Sequence, residues 1–160
     1  MKVTLLLNPR AGKKRALTVQ DSARALAKEL GVALDIQVIT APGEGTTLAR
    51  TAVEQGAERV ISVGGDGTLN AIAAGLVGTR IPLGIVAMGS GNGYARSIGL
   101  PLDPTIGLRH ALTAAARPMD VCYLNDHLFL GTAGIGFDAR VAHAFDQSKG
   151  RGMWNYMRLI

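Results

Sequence analysis

Short apolar runs alternate with amphipathic segments along the first hundred residues of this sequence. The runs cover residues 2–7, 33–39, 59–63 and 82–87, and they are rich in Val, Ile and Leu with little polar alternation. That pattern is typical of parallel strands, which are covered by helices on both faces and therefore bury both sides. We predict four buried strands at these positions.

The segments between these strands have the periodicity of helices. Apolar residues recur at three- and four-residue spacing over 19–30, 48–53 and 69–76, and a glycine follows each segment, at Gly31, Gly56 and Gly78. Glycine in that position commonly ends a helix. Strands and helices in this order form βαβ units, so we predict an α/β fold with a three-layer, Rossmann-like parallel sheet.

Each predicted strand ends in a loop of unusual composition. The loops are residues 8–12, 40–45, 64–68 and 89–93, and every one of them contains glycine. Ligands of open parallel sheets bind at the carboxyl ends of the strands, where such loops meet. We expect the four loops to converge on one edge of the sheet and to form a binding site there.

The loop after the third strand, Gly-Gly-Asp-Gly-Thr, favours a phosphate ligand. The unpaired amides and the dipole of the following helix attract an anion, and we expect Gly64, Gly65 and Gly67 to allow positive φ and close approach. Asp66 beside a phosphate is unfavourable unless a cation such as Mg²⁺ joins the two. Thr68 either caps the helix or bonds a phosphate oxygen, and Asp66-Gly67 taken alone also fits an ordinary turn.

Other nucleotide and catalytic motifs are absent from the sequence. No Walker lysine follows a glycine-rich loop and no G-x-G-x-x-G begins a helix, which disfavours P-loop and dinucleotide-redox proteins. Residues 95–99 loosely resemble a nucleophile elbow but do not directly follow a strand. His110, His127 and His143 follow no metal-ligand spacing, so we interpret them as surface or core residues.

Composition restricts the setting in which the chain acts. Its 160 residues, of which 48% are hydrophobic and 18% charged, suffice for one well-buried domain. The net charge of +5 favours anionic partners, whereas 4% aromatic residues and the lack of a zinc-finger or RNA-binding signature argue against nucleic acid. Cys122 has no partner for an internal disulfide, and no apolar run suits a signal peptide or a membrane span. We expect a cytoplasmic protein.

Three of the loops resemble the signature loops of the diacylglycerol kinase catalytic domain family, which includes bacterial lipid kinases, sphingosine kinases and ceramide kinases. They are Asn-Pro-Arg-Ala-Gly at 8–12, Gly-Gly-Asp-Gly-Thr-Leu-Asn at 64–70 and Gly-Ser-Gly-Asn at 89–92. Gly-Gly-Asp-Gly-Thr alone is shared with NAD kinases, and the other two loops narrow the resemblance to lipid kinases. Residues 119–121 and 129–139 are similar to the family's passage into its second domain.

The resemblance implies an enzyme of lipid metabolism that transfers the γ-phosphate of ATP to a lipid hydroxyl such as that of diacylglycerol. Asp66 would hold the metal-bound phosphates, and Asp120 would help to bind Mg²⁺ through water. Two positions depart from the family pattern, because Ala71 replaces a frequent glutamate and Gly93 a frequent aspartate. The implied ATP contacts are Asn8, Pro9, Arg10, Ala11, Gly12, Thr40, Gly64, Gly65, Asp66, Gly67, Thr68, Leu69, Asn70, Ala71, Ser90 and Asn92.

The resemblance also implies a division of the chain. Residues 1–118 would form the nucleotide-binding α/β domain, and residues 119–160 would begin a β-rich second domain with a hairpin that turns at Asn125-Asp126. In the family the chain continues for about another domain's length and supplies the catalytic base there, so we expect nucleotide binding with negligible turnover from these 160 residues. Asp138 would lie outside the ATP site, and apolar residues at helical spacing over 141–145 would lack a partner.

Further expectations concern partners and charge. A positive chain with a lipid substrate predicts peripheral contact with an anionic membrane surface, and self-association into a homo-oligomer is open. Arg96 is either a residue that neutralises phosphate charge or an exposed helix arginine. Two other functions remain open: a relative of NAD kinases, and a nucleotide-binding module without catalytic activity.

Overall fold

The computed structural model of the chain describes residues 1–136 and 139–140. Four strands form one parallel sheet in the order β2-β1-β3-β4. Their bounds agree with the four predicted strands to within one residue at either end, so that prediction is confirmed. The strands are β1 (Lys2–Leu7), β2 (Ala33–Val38), β3 (Arg59–Gly64) and β4 (Leu83–Ala87).

Helices connect the strands, and the three predicted helices are confirmed. Gly31, Gly56 and Gly78 follow them with φ of 65°, 78° and 80°, the left-handed conformation that ends a helix. Two further helices were not predicted. The helices are α1 (Val19–Glu29), which follows a 3-10 segment (Ala11–Thr18), α2 (Glu44–Glu54), α3 (Asp66–Leu76), α4 (Gly93–Ser97) and α5 (Pro104–Thr113).

Two separate hydrophobic clusters lie on the two faces of the sheet. Alternate residues of β1 divide between them: Leu5 and Leu7 pack with α1 and α5, and Leu6 packs with α2 and α3. All three side chains are fully buried. The arrangement of helix, sheet and helix confirms the predicted three-layer α/β fold, and it places the amino terminus of α3 directly after the buried strand β3.

Strand β2 is less buried than predicted. Three of its six residues are exposed and three are partly buried, whereas β1 and β3 are buried over five of their six residues. The expectation that all four strands are covered on both faces is wrong for β2, which lies at one edge of the sheet; β4, at the other edge, is buried over three of its five residues. An edge strand keeps more contact with water than a central one.

Helix α3 is held tightly against α2. A Cβ atom added to Gly75 would lie 2.5 Å from the carbonyl oxygen of Thr46, so only glycine allows the two helices to approach this closely. The hydroxyl of Thr46 also donates to the carbonyl of Ala71 at 2.7 Å. These contacts fix the helix whose first turn carries the Gly-Gly-Asp-Gly-Thr loop.

The predicted hairpin is present beyond the main sheet. Strands β5 (Cys122–Leu124) and β6 (His127–Phe129) pair antiparallel around a turn in which Asn125 has a φ of 52°. Predictions for Phe137, Asp138 and residues 141–160 lie outside the described residues, and the division into two domains stays a prediction. Among the described helices, none has the length and apolar character to cross a membrane.

Candidate functional site

The loops that follow the four strands lie at one edge of the sheet, as its parallel order requires. Neighbouring strand ends are joined by backbone hydrogen bonds from Ile39 to Leu7 at 2.8 Å, from Asn8 to Val63 at 3.0 Å and from Met88 to Gly64 at 2.7 Å. The prediction that the four loops converge on one edge of the sheet is therefore confirmed.

Asn8 joins the first loop to the third. Its side-chain amide donates to the hydroxyl oxygen of Thr68 at 2.9 Å, and its side-chain oxygen accepts from the amide of Arg10 at 3.0 Å. Thr68 is the third residue of α3, and Gly65 takes the position before the helix. The interpretation of Thr68 as a helix cap is therefore wrong, because the helix begins two residues before it and its hydroxyl is bonded to Asn8.

The glycines of the third loop act through the lack of a side chain. Gly65 is extended, with φ −97° and ψ −172°, and Gly64 and Gly67 are not among the residues with positive φ. The expected positive φ is thus wrong. A Cβ on Gly64 would lie 2.6 Å from Thr68 Oγ1, and one on Gly65 would lie 3.1 Å from the Cα atom of Gly89. Tight packing of the loops requires glycine here, whereas Gly67 faces open space.

Asp66 connects the third loop to the fourth. One carboxylate oxygen accepts from the amide of Gly93 at 3.0 Å, and the other accepts from the amide of Tyr94 at 3.1 Å. These amides belong to the first turn of α4, so the carboxylate caps that helix from outside it. The sequence indicated a metal-binding role for Asp66 and gave no sign of this contact, because the partners follow 27 and 28 residues later.

The fourth loop is a closed turn around Asn92. Its side-chain oxygen accepts from the amide of Gly89 at 2.7 Å, and its backbone is left-handed with φ 53°. Arg96 donates through Nε to the carbonyl of Gly91 at 2.9 Å and is exposed, so this arginine supports the loop. Ser90 is exposed at the tip of the same turn.

The second loop is organised by Glu44. Its carboxylate accepts hydrogen bonds from the backbone amide of Thr40, from the hydroxyl of Thr40 at 2.9 Å and from the amide of Ala41 at 3.1 Å. The backbone and side-chain hydrogen bonds from Thr40, together with the amide of Ala41, lower the pKa of Glu44 below its ordinary value of 4.5. Thr40, a predicted ATP contact, is therefore bonded within its own loop.

The amino terminus of α3 carries no side-chain cap. The amides of a helix's first turn have no partner inside the helix, and together with the dipole they attract an anion. Around this terminus Asn8 and Thr68 supply polar groups, and Gly64 and Gly65 keep the surface free of side chains. This is the arrangement expected of a phosphate site.

In the described part of the chain, no group of three or more His, Cys, Asp or Glu side chains could hold a metal ion. Asp120 lies in the exposed segment between α5 and β5. The metal-binding roles of Asp66 and Asp120 stay predictions.

A groove of about 410 Å³ lies beside the second turn of α3, between α2, α3 and the hairpin. Asn70 borders it and also accepts from the amide of Leu130 at 3.0 Å through its side-chain oxygen. The groove was not predicted, because its walls are far apart in sequence. It is lined by Arg50, Asn70, Ala71, Ala74, Tyr123, Asp126, His127 and Leu128.

The remaining predicted residues have varied environments. Arg10 is exposed, and Leu69 is buried with its side chain in the core. His110 and His127 are both exposed, in agreement with a surface interpretation, and His143 lies outside the described residues. Pro9, Ala11 and Gly12 are partly exposed in the first loop.

Comparison with known proteins identifies relatives of this chain. The family model described as "Diacylglycerol kinase catalytic domain" matches residues 2–124. Proteins named "Probable lipid kinase YegS-like" from Chromohalobacter salexigens and Cronobacter sakazakii are 40% and 32% identical to it over 144 and 142 residues. These alignments cover 88% and 86% of this chain but 45% and 46% of the relatives, so the chain spans about half the length of the curated relatives it matches.

The fold is similar to that of a solved protein of the same class. A crystal structure described as a diacylglycerol kinase from Bacillus anthracis str. Sterne superposes with a TM-score of 0.68 at 26% identity. The match covers 80% of this chain and 47% of that one. Sequence and structure comparisons thus agree with the resemblance carried by the three loops, and they favour it over a relationship to NAD kinases.

Proposed function

Because the chain belongs to the diacylglycerol kinase catalytic domain family, we propose that it is the nucleotide-binding part of a lipid kinase. In the reaction the oxygen of a lipid hydroxyl forms a bond to the γ-phosphorus of ATP, the bond from that phosphorus to the oxygen of the leaving ADP breaks, and the hydroxyl proton passes to a general base. The observation that carries the proposal is the uncapped amino terminus of α3, around which a hydrogen bond donated by Asn8 and one accepted by Asp66 hold the neighbouring loops.

The phosphates of ATP would bind at the first turn of α3. Its backbone amides supply donors, and the glycines of the third loop let the phosphates approach the backbone. Asn8 and Thr68 are bonded to each other and so hold the first loop beside this turn. Catalysis of phosphoryl transfer rests largely on positioning and on neutralising charge, and preformed donors of this kind contribute to both.

Asp66 fits a magnesium ion that arrives with the nucleotide. Magnesium commonly uses one or two carboxylates together with substrate phosphates and water, so a single aspartate beside a phosphate site suffices. Each oxygen of Asp66 accepts one backbone amide and keeps a lone pair for a metal-bound water. We propose Asp120 as a second water-mediated contact. When bound, the ion would neutralise negative charge on the phosphates.

The groove beside Asn70 and Ala71 would hold the rest of the nucleotide. Its volume of about 410 Å³ lies within the usual range of small-molecule sites. Tyr123, His127 and Arg50 line it, and residues of these types can bind a base and an anion.

Calorimetry with the 160-residue chain tests the nucleotide site. Mg-ATP should bind, and Asp66→Asn should weaken the binding by about 1–3 kcal/mol through loss of a charge-assisted contact. Asp21→Asn is the matched control, because Asp21 is an exposed aspartate in the first turn of another helix, α1. The Asp21→Asn variant should bind Mg-ATP with the same affinity as the unaltered chain.

Titrations without magnesium separate the two roles of Asp66. If this residue acts through the metal, the loss of affinity in Asp66→Asn should disappear when ATP is added with a chelator. If it acts only by capping α4, the loss should persist. Failure of the unaltered chain to bind nucleotide would refute the proposed function, and equal affinity of both aspartate variants would remove Asp66 from the site.

We also propose that the lipid acceptor is met at a membrane surface. The net charge of +5 favours contact with anionic headgroups, so the chain should bind anionic vesicles more than neutral ones, and less as salt increases. Salt-insensitive binding to neutral vesicles would contradict this. Phosphorylation of a lipid array by a protein of the relatives' full length would identify the acceptor.

A further inference from the structure

The segment that leaves the hairpin is attached to the site at two points. The amide of Leu130 donates to the side-chain oxygen of Asn70 in a partly buried hydrogen bond of 3.0 Å. The next residue, Gly131, lies against Tyr94, since a Cβ atom added to Gly131 would be 3.8 Å from both Cβ and Cδ2 of that tyrosine. Neither contact joins neighbouring parts of the sequence.

Both attachment points depend on the first two turns of α3. Asn70 follows Asp66 by four residues, which places the two side chains on the same face of the helix. Tyr94 donates its backbone amide to the carboxylate of Asp66. The turn proposed to bind phosphate therefore holds Leu130 through Asn70, and through Asp66 it also holds Tyr94, against which Gly131 lies.

We propose that Asn70 and Tyr94 form a latch that couples nucleotide binding to the position of the segment Leu130–Gly131. The proposal rests on the proposed function for the nucleotide, and it makes Asn70 a positioning residue, since its side-chain oxygen is bonded to Leu130. A ligand that orders the first turn of α3 orders Asp66, and with it α4 and Tyr94. Coupling of this kind is reciprocal, so the attached segment also strengthens nucleotide binding.

The latch gives the hairpin a defined place relative to the phosphates. Strand β6 contacts α3, and the groove beside Asn70 is closed on one side by Tyr123 and His127 of the hairpin. If the latch opens, the hydrogen bond that fixes the end of this wall to Asn70 is lost, and only the packing of β6 on α3 still holds the wall. The latch therefore contributes to the shape of the groove when nucleotide arrives.

Amide hydrogen exchange of the whole 160-residue chain tests the latch. In Asn70→Ala the amide of Leu130 loses its acceptor, and exchange in peptides spanning 128–131 should become about two- to tenfold faster in the absence of nucleotide. Asn70→Asp keeps an oxygen in the same place and should restore slow exchange. Thr47→Ala, at an exposed position of α2, is the control for substitution on a helix surface.

Saturating Mg-ATP tests the coupling. It should slow exchange over 128–131 in the unaltered chain and in Thr47→Ala by about twofold or more. This protection should be lost in Asn70→Ala at a concentration of Mg-ATP that calorimetry shows to saturate that variant. Peptides from β1, which lies in the core, should exchange equally in all variants and so show that each protein is folded.

Three outcomes are informative. Equal exchange over 128–131 in Asn70→Ala and the unaltered chain would overturn the latch, whether or not nucleotide binds. Calorimetric binding of Mg-ATP without any protection of this segment would overturn the coupling while leaving the proposed function intact. A chain that binds no nucleotide would refute the proposed function and the coupling, and exchange in the nucleotide-free protein would still decide whether Asn70 holds Leu130.

Discussion

Substitution of Gly89 by alanine tests whether close contact between the third and fourth loops is essential to the site. A Cβ atom at position 89 would lie 2.6 Å from the Cα atom of Gly65 and 2.8 Å from the side-chain oxygen of Asn92. The first of these contacts is with backbone, which cannot rotate away, so one of the two loops must move. The same loop offers a matched control, because a Cβ at Gly91 would meet its nearest neighbour, Asp66 Oδ2, at an ordinary 3.8 Å.

The two substitutions should have opposite effects on stability. Replacing glycine by alanine reduces the conformational entropy of the unfolded chain, and it stabilises a protein by about 0.4–1 kcal/mol where alanine can adopt the native backbone conformation. Gly91 does not have positive φ, so alanine can adopt its conformation. Forcing an extra carbon into a packed contact costs about 1–3 kcal/mol. We therefore expect Gly91→Ala to be neutral or stabilising and Gly89→Ala to be destabilised by about 2 kcal/mol relative to that control.

Urea denaturation followed by circular dichroism measures this difference. With a slope of about 2 kcal/mol per molar urea, the midpoints of the two variants should differ by about 1 M. Calorimetry should also show weaker Mg-ATP binding by Gly89→Ala, because the loop that contacts Gly65 has moved. Equal midpoints and equal affinities for the two variants would refute the argument that the loops require this approach.

Two further predictions concern neighbouring contacts. Thr68→Val removes the hydroxyl that accepts from Asn8 and should destabilise the chain by about 0.5–1.5 kcal/mol in urea denaturation, whereas Thr68→Ser should keep the bond; equal stability of the two variants would exclude a role for this contact. The second concerns acid. Because the pKa of Glu44 is lowered in the folded protein, its hydrogen bonds add stability above its ordinary pKa of 4.5, and this stability is lost as the pH falls through the lowered value. NMR titration should therefore place the Glu44 midpoint below 4.5, with matching shifts of the Thr40 amide that are absent in Glu44→Gln; a midpoint at or above 4.5 would contradict this.

The order of secondary structure could be predicted from sequence because it depends on local pattern and burial. Residues 3–7 and 60–63 are almost entirely apolar, each with a single small polar residue, Thr4 and Ser62, and such short runs are typical of strands covered on both faces. Glycine after each helical segment marked its end, because the left-handed conformation there suits a residue without a side chain. Parallel strands then bring their carboxyl ends together, so the place of the site followed from the fold class.

Contacts between loops could not be predicted, because they join residues that are distant in the chain. Nothing near Asp66 in sequence indicates that it caps α4, and nothing near Asn70 indicates that it holds Leu130. The glycines at 64 and 65 were expected to allow positive φ and close approach of a phosphate. The positive φ is wrong, and the close approach that the structure shows is that of Thr68 and Gly89. Composition and spacing determine which residues reach the edge of the sheet. Only the packing of the loops against one another decides which of their polar groups are already hydrogen-bonded and which remain for a ligand. The reason is that each polar group bonds to whatever partner the tertiary fold places within reach.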